Sequence, residues 1–175
     1  ALFHADRSNL AVRALDYDNL AAARTDFATQ TVKTADGKDR HVSIRGDVLL
    51  CPENLATAAD ELVDSKEKQD NTGDGRPKKN ANYKKHQVVS DPRLDTGVEN
   101  PLTGEFIEGE PDNWYLASRN GKYGITVAGL QGRGTRPRIR RLRNVLDGYG
   151  MGWTVDRTAG VGATGSEGVQ KNTSS

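Results

Sequence analysis

The sequence predicts a mixed α+β fold in which short strands outnumber helices. Two stretches, 16–31 and 52–66, repeat apolar residues at the three-to-four spacing of amphipathic helices. Several shorter runs alternate or form apolar blocks, as strands do, and turns rich in Gly, Asn and Asp separate them. The chain has 175 residues, which is within the range of one domain.

The first elements are a helix and two strands. A helix is predicted at 16–31, because Asp16 or Asp18 can cap it. Four of its residues then fall on one face: Leu20, Ala23, Phe27 and Thr31. After a turn, residues 41–45 alternate and 47–51 form a short apolar run, which predicts two strands separated by Gly46.

A second helix is predicted at 52–66. Pro52 suits the first helical position, and the carboxylate of Glu53 complements the positive end of the helix dipole. Four apolar residues line one side: Leu55, Ala59, Leu62 and Val63. The following segment, 67–85, is charged and rich in turn residues, and we expect a surface loop there.

The second half predicts strands joined by long loops. A strand is expected at 87–90 and an acidic loop at 94–112, followed by strands at 114–117 and 124–128 that form a hairpin, and a strand at 153–159. The tail from 160 is rich in glycine, which permits close approach of backbones.

Composition excludes several classes of function. The net charge is +1, so no general attraction to nucleic acid or to an anionic membrane is expected. The single cysteine, Cys51, cannot form an internal disulfide or a cysteine-rich zinc site. No apolar run approaches the roughly 20 residues of a membrane-spanning helix. We predict no membrane partner and no cofactor.

The sequence contains no recognised signature of a catalytic site. Cys51 could be a nucleophile paired with His4, His41 or His86, but the surrounding sequence has no nucleophile signature, and a cysteine at a strand end is also a small buried apolar residue. The three histidines lack the spacing of a metal site, and 71–79 lacks the pattern of a phosphate-binding loop. His4, Asp6, Ser8 and Asn9 also suit a strand end and a tight turn.

An arginine cluster suggests a binding surface. Six arginines lie within 133–143, and Tyr149 and Trp153 nearby could stack on nucleic-acid bases. The acidic loop at 94–112 offers a counterpart of opposite charge, and arginine also suits interface ion pairs. Interface pairing is the favoured interpretation, and nucleic-acid binding is the alternative.

Six short motifs, in order, resemble the major head proteins of Mu-like tailed phages. They are Leu-Phe-His-x-x-x-x-Asn-Leu at 2–10, the strand-Pro-helix block at 48–58, Gln-Val-Val-Ser-Asp-Pro-Arg-Leu at 87–94, Asn-Trp-Tyr-Leu at 113–116, Leu-Gln-Gly at 130–132, and a closing block at 152–172 that ends in Lys-Asn. The loops at 67–85 and 95–112 look expanded relative to that family, and the arginine cluster has no counterpart in it.

The resemblance implies the tailed-phage major capsid fold, also called the Hong Kong 97-like fold. On that map, residues 1–34 form a strand, turn and helix at the junction of the peripheral and axial domains. Residues 35–145 form the axial domain, and 146–175 supply closing strands of the peripheral domain. The family's N-terminal arm, hairpin loop and long helix would precede Ala1.

The same resemblance implies a structural, non-enzymatic subunit that self-assembles into the icosahedral head around phage DNA. Its partners would be other copies in hexamers and pentamers, with a scaffold, a prohead protease, a portal and non-specifically contacted DNA. It would lie in the virion, and in the host cytoplasm during assembly. We predict that Arg136, Arg138, Arg140 and Arg141 meet Glu105, Glu108 and Glu110 of an adjacent copy. An encapsulin-like compartment shell is the alternative, ahead of a cysteine hydrolase or a nucleic-acid-binding module.

Overall fold

The computed structural model describes residues 2–4, 8–33, 36–68, 77–100, 103–119, 125–129, 136–141, 152–163, 165 and 167–174. Several predictions lie outside these residues: Asp6, most of the 71–79 segment, the 130–132 motif, Arg133, Arg143 and Tyr149. The helices are α1 (Tyr17–Ala28), a 3₁₀ turn (Glu53–Leu55), α2 (Ala56–Asp64) and α3 (Arg93–Thr96). The strands are β1 (Leu10–Val12), β2 (Thr31–Lys33), β3 (Asp39–His41), β4 (Val48–Cys51), β5 (Glu67–Lys68), β6 (Lys78–Lys79), β7 (Gln87–Ser90), β8 (Val98–Glu99), β9 (Phe106–Ile107), β10 (Trp114–Ala117), β11 (Ile125–Gly129), β12 (Arg138–Arg141), β13 (Trp153–Asp156), β14 (Ala159–Ala163) and β15 (Val169–Thr173).

A five-stranded mixed sheet forms the centre, in the order β1-β15-β10-β4-β7. The two outer pairs are parallel and the two inner pairs are antiparallel. The sheet takes strands from all three segments of the predicted domain division, 1–34, 35–145 and 146–175. The predicted α+β class, in which short strands outnumber helices, is confirmed.

One face of this sheet carries the hydrophobic core. Leu49 lies opposite Leu116 in the β4–β10 register, and both are fully buried together with Trp114 and Cys51. The core also takes side chains from both helices: Leu20, Ala23 and Phe27 from α1, and Ala59, Leu62 and Val63 from α2. The predicted apolar faces of the two helices are thus confirmed, except that Leu55 is partly exposed and Thr31 belongs to a strand.

The helix starts follow local chemistry. Asp16 caps α1, since its carboxylate accepts a hydrogen bond from the backbone N–H of Asn19 at 2.7 Å. The second helix is capped from outside, because the Asp95 carboxylate accepts from the backbone N–H groups of Glu53 and Asn54. Pro52 precedes the first turn rather than opening it, and α2 ends at Asp64, two residues before the predicted end.

The strand predicted at 41–45 is wrong. Strand β3 ends at His41, and residues 42–47 form no ladder. Ser43 has a positive φ of 51°, which breaks the extended conformation, and Ile44 turns into the core. Gly46 follows against Phe27 and Leu116, where an added Cβ would lie 3.4 Å from the Cβ of Leu116.

Two predicted loops contain regular structure. The described part of 67–85 holds the short pair β5–β6 and two buried asparagines, of which Asn80 donates to the carbonyls of Leu62 and Ser65 at 2.7 Å. The acidic segment 94–112 holds part of α3 and the two-stranded pair β8–β9. Both were predicted to be irregular, because two-residue strands leave almost no periodic signal.

The predicted hairpin between 114–117 and 124–128 is also wrong. Strand β10 pairs with β15 and β4, whereas β11 pairs with β14. The predicted strand at 153–159 is two strands, β13 and β14, which pair with different partners. Strands β10 and β11 are thus neighbours in sequence but pair with different strands.

Candidate assembly surfaces

The first candidate surface comprises the strand pairs β11–β14 and β12–β13, which lie in sequence between β10 and β15 and which we call the ribbon. The chain leaves the sheet after Ala117 and returns opposite it at Val169, where the Ser118 N–H donates to the Gly168 carbonyl at 2.9 Å. Between these points the inner pair β11–β14 encloses the outer pair β12–β13 in sequence. Among its described residues from 125 to 162, none is buried.

The outer pair has an apolar face that is open to solvent. Ile139 lies opposite Val155 and Arg141 opposite Trp153, so these four side chains share one face. Ile139, Val155 and Trp153 are 68, 64 and 59% exposed. Large side chains exposed together in this way mark an interaction site.

The other face of the outer pair is charged. Arg138 lies opposite Asp156 and Arg140 opposite Thr154, and the Arg140 guanidinium lies 3.9 Å from the Asp156 carboxylate. Both partners of this ion pair are largely exposed, so its contribution to stability is small. The ribbon therefore has one apolar face and one cationic face.

The inner pair repeats the apolar pattern. Val127 lies opposite Val161 on the same face as Ile125, and these three side chains are 52, 70 and 60% exposed. On the opposite face, an added Cβ at Gly160 or Gly162 would meet nothing within 4 Å. The glycines of this strand are thus not required for packing inside the subunit.

The second candidate surface is a groove on the face of the central sheet away from the core. It encloses about 460 Å³. Its floor and walls include five apolar or aromatic side chains: Phe3, Leu94, Val98, Ile107 and Tyr115. Charged groups complete it: Asp91, Arg93, Glu108, Glu110 and Lys171. We call this the hairpin groove, because the β8–β9 pair forms one wall.

Close backbone packing holds that wall together and against α3. Gly97 has a φ of 81°, and an added Cβ there would collide with the Ile107 carbonyl oxygen. An added Cβ at Gly109 would collide with the Asp95 carbonyl. Asp95 in turn caps the 3₁₀ turn before α2, so the hairpin, α3 and the start of α2 are connected.

Phe3 reaches the groove through the opening motif. The side-chain amide of Asn9 is buried, where it accepts from the His4 N–H at 2.8 Å and donates to the Leu2 carbonyl at 2.9 Å. These two bonds fold the chain back, and the Phe3 ring then packs 5.9 Å from the ring of Tyr115. Asn9 thus makes the hydrogen bonds to nearby backbone that were expected of a turn residue, residues 5–7 lie outside the described residues, and Leu2 and Phe3 form no strand.

Three hydrogen-bonded side chains, Glu110, Lys171 and Tyr115, line part of the groove. The Glu110 carboxylate accepts from the Lys171 ammonium and from the Tyr115 hydroxyl, both at 2.6 Å. Burial acts to raise the pKa of Glu110, but the hydrogen bonds from Lys171 and Tyr115 outweigh it and lower the pKa from 4.5 to about 2. Burial, with the hydrogen bond to Glu110, raises the pKa of the Tyr115 hydroxyl. The carboxylate is ionised at neutral pH.

A family model described as "Phage capsid protein" matches residues 3–172. The chain belongs to the phage capsid protein family. No curated protein matches it. Membership gives the capsid protein a structural role in a multi-subunit shell and a place in the virion. The general capsid assignment made from the six motifs is thereby confirmed.

The structure gives those motifs a common role in the capsid protein. The described motif residues supply four of the five central strands, β4, β7, β10 and β15. In the 87–94 motif, the Asp91 carboxylate accepts from the Arg93 backbone N–H at 3.0 Å and from its guanidinium at 2.6 Å. These bonds initiate α3 and position Leu94 at the groove.

The predicted interface residues lie on the two surfaces. Arg136, Arg138, Arg140 and Arg141 are all exposed on the ribbon, and Glu105 and Glu108 are exposed beside the hairpin groove. Glu110 differs, because its carboxylate is bonded to Lys171 and Tyr115 of the same chain. Pairing between copies stays a prediction, and its acidic side is best provided by Glu105 and Glu108.

Sequence reasoning missed the apolar half of the ribbon. Ile139 was given no role, Val155 was part of the strand predicted at 153–159, and Trp153 was considered only as a side chain that could stack on nucleic-acid bases. Part of the signal was present at 153–156, where Trp153 and Val155 alternate with polar residues, as in a strand with one apolar and one polar face. At 138–141, Ile139 lies between arginines.

The environment of Cys51 opposes nucleophilic catalysis. The thiol is buried, and burial raises its pKa to about 11, with further contributions from the charges of Asp60, Glu53 and Asp95. His86 is engaged elsewhere, since its Nδ1 lies 2.7 Å from the Gly46 carbonyl oxygen. A nucleophilic thiol needs the opposite, a lowered pKa in an accessible position.

We therefore expect Cys51 of the folded capsid protein to react slowly with a thiol reagent at pH 7. A pKa of about 11 instead of 9.0 lowers the thiolate fraction about a hundredfold, and burial restricts access further. The measurement is the labelling rate in buffer compared with that in denaturant. Equal rates in the two conditions would contradict the buried placement.

Lowering the pH provides a second test. The pKa of Glu110 is depressed in the folded state, so the stability it provides is present above about pH 4.5 and is lost as the pH falls toward 2. Glu110→Gln should be less stable than wild type at pH 7, and the difference should shrink toward zero near pH 2. The measurement is urea unfolding across this range.

Glu108→Gln is the matched control for that experiment, because Glu108 is an exposed carboxylate two residues away. We expect it to follow the wild-type profile. A Glu110→Gln deficit that stays constant from pH 7 to pH 2 would argue against the Lys171–Glu110 pair as its source.

Within the described ranges, no cluster of three or more His, Cys, Asp or Glu side chains could hold a metal ion. In the same residues, no helix is long and apolar enough to cross a membrane.

Proposed function

We propose that this capsid protein is the major head subunit of a Mu-like tailed phage, and that it self-assembles into an icosahedral shell around phage DNA. The family match over residues 3–172 is the observation that carries this proposal. The exposed apolar face of the ribbon supports it, because the described residues leave these side chains uncovered and contact with another copy would bury them.

The proposed fold is the Hong Kong 97-like capsid fold. Its support is that the described parts of the motifs quoted for this family coincide with the central sheet and with the turn that positions Phe3. The division into a junction segment at 1–34, an axial domain at 35–145 and closing strands at 146–175 belongs to the same proposal.

The proposed partners are further copies in hexamers and pentamers, together with a scaffold, a prohead protease and a portal. Packaged DNA would be contacted without sequence preference. A near-neutral chain with an acidic hairpin and a cationic ribbon suits repeated contacts between copies better than tight binding to DNA.

The test is expression with the phage's other head proteins, followed by sedimentation and electron microscopy. We expect closed icosahedral particles of uniform size that contain DNA after packaging. Particles that enclose protein cargo instead of DNA would favour the encapsulin-like alternative. A chain that remains monomeric in every condition would contradict a shell function altogether.

Free subunits give a further check against a nucleic-acid-binding module. Such a module would bind duplex DNA with an affinity that falls steeply as salt is raised. We expect weak binding that does not discriminate between sequences.

A further inference from the structure

The ribbon and the hairpin groove are complementary in shape and in charge, because the ribbon carries an exposed aromatic side chain and the groove is an open depression. The ribbon's outer pair presents Trp153 between Arg141 and Val155 on its apolar face. The groove presents an apolar floor with a carboxylate, Glu108, at its edge. Neither surface is covered in the subunit, since Trp153 is 59% exposed and Ile107 in the groove wall is 54% exposed.

We propose that Trp153 of one capsid protein inserts into the hairpin groove of a neighbouring copy. This inference rests on the proposed shell function and specifies one of its contacts. The occupant is a second copy of this chain, because its ribbon carries an exposed aromatic side chain beside a cationic one, and the groove carries one carboxylate, Glu108, besides those paired with Arg93 and Lys171.

The size of the groove suits an aromatic side chain. A volume of about 460 Å³ falls in the range of pockets that bury most of a small ligand. A tryptophan buries roughly 150–250 Å² and is among the residues most enriched at interface hot spots. Phe3, Leu94 and Val98 would surround the indole; Asn9 bonds the backbone on both sides of Phe3, and Gly97 packs closely beside Val98.

Charge favours the same orientation. Arg141 lies directly opposite Trp153 on the ribbon, so insertion of the indole brings the guanidinium to the edge of the groove. Asp91 is already paired with Arg93 and Glu110 with Lys171, which leaves Glu108 as the carboxylate to receive Arg141. The ribbon supplies the cation and the groove the anion.

The contact is head-to-tail, because the ribbon and the groove are different surfaces of the subunit. Each copy can insert its ribbon into one neighbour and receive the ribbon of another. Heterologous contacts of this kind generate rings when the rotation closes. The geometry thus assigns the ribbon a role within the proposed hexamers and pentamers.

Two complementary variants test the contact. Trp153→Ala removes the inserted side chain and Ile107→Asp places a charge in the groove. Both residues are more than half exposed, so the fold should persist. Loss of a hot-spot side chain weakens an interface about 30-fold or more. Each variant alone should fail to form rings, whereas an equimolar mixture should form dimers, since the mixture restores one intact contact per pair.

Mass photometry of the separate variants, the mixture and the wild type gives the readout. Rings from Trp153→Ala at wild-type concentrations, or a mixture without dimers, would overturn the contact but leave the shell function intact. A wild-type chain that never assembles would overturn both.

Cysteine cross-linking provides a second measurement that does not depend on disrupting the contact. Val155→Cys in one copy and Val98→Cys in another should form a disulfide between copies under mild oxidation, whereas each single variant should give far less cross-linked dimer. Cys51 is buried and should not compete. Absence of the mixed cross-link in assembled particles would overturn the proposal.

Discussion

Replacing Trp114 with alanine should destabilise the capsid protein by about 3–5 kcal/mol, the range observed for large aromatic residues removed from cores. Trp114 is fully buried in β10, a central strand of the sheet. Its indole Nε1 donates to the Arg13 carbonyl at 2.9 Å and so connects the sheet to the segment before α1. The variant therefore leaves a cavity and an unpaired carbonyl together.

The other tryptophan provides a matched control. Trp153→Ala makes the same chemical change at a side chain that is 59% exposed and outside the core, and we expect its effect on unfolding to stay within about 0.5 kcal/mol. The measurement is denaturant unfolding of the free subunit followed by circular dichroism, because both variants alter fluorescence. Equal destabilisation by the two substitutions would contradict the division into a packed sheet and an exposed ribbon.

The sequence was sufficient for elements whose signal is local. The apolar runs at 48–51 and 114–117 and the valines at 88–89 identified three central strands, and the three-to-four spacing identified the core faces of both helices. The spacing of apolar residues along an element depends on which of its faces is buried in the core, so it can be recognised from residues that are close in sequence.

Strand partners could not be obtained in the same way. Strand β1 pairs with β15 across almost the whole chain, with Leu10 opposite Lys171. The incorrect 114–128 hairpin followed from the general preference for pairing between neighbours in sequence. That preference fails here because residues 118–168, which include the ribbon, lie in sequence between two strands that are adjacent in the sheet. No local pattern marks such an insertion.

The candidate surfaces divide along the same line. Charge is visible in a sequence, so the arginine cluster and the acidic segment were found. Exposure of apolar residues is not visible. Ile139, Trp153 and Val155 have the alternation of a half-buried strand, and the structure shows that no part of the described chain buries them. The proposed contact with a neighbouring copy would cover them.

Reversing the four ribbon arginines should abolish assembly without unfolding the subunit. The change Arg136, Arg138, Arg140 and Arg141 to Glu shifts the net charge from +1 to −7, since each substitution changes it by two. All four residues are exposed, so we expect the free energy of unfolding to change little. In the assembled shell, the reversed charges would face the acidic hairpin of the neighbouring copy, and the repulsion would recur at every contact.

A control with the same net charge separates local pairing from general repulsion. Lys78, Lys79, Lys84 and Lys85 to Glu also gives −7, but these exposed lysines lie on a different part of the subunit. We expect the lysine variant to form particles and the arginine variant to form none, as measured by sedimentation and microscopy. Adding Glu105→Arg and Glu108→Arg to the arginine variant should restore part of the assembly, because the charges of the two surfaces are then exchanged. If the arginine variant forms normal particles, or if the lysine variant fails equally, the pairing between ribbon and hairpin is wrong.

Wild-type ring contacts should also weaken as salt rises from about 0.01 to about 1 M, because the Debye length falls from about 30 to about 3 Å over this range.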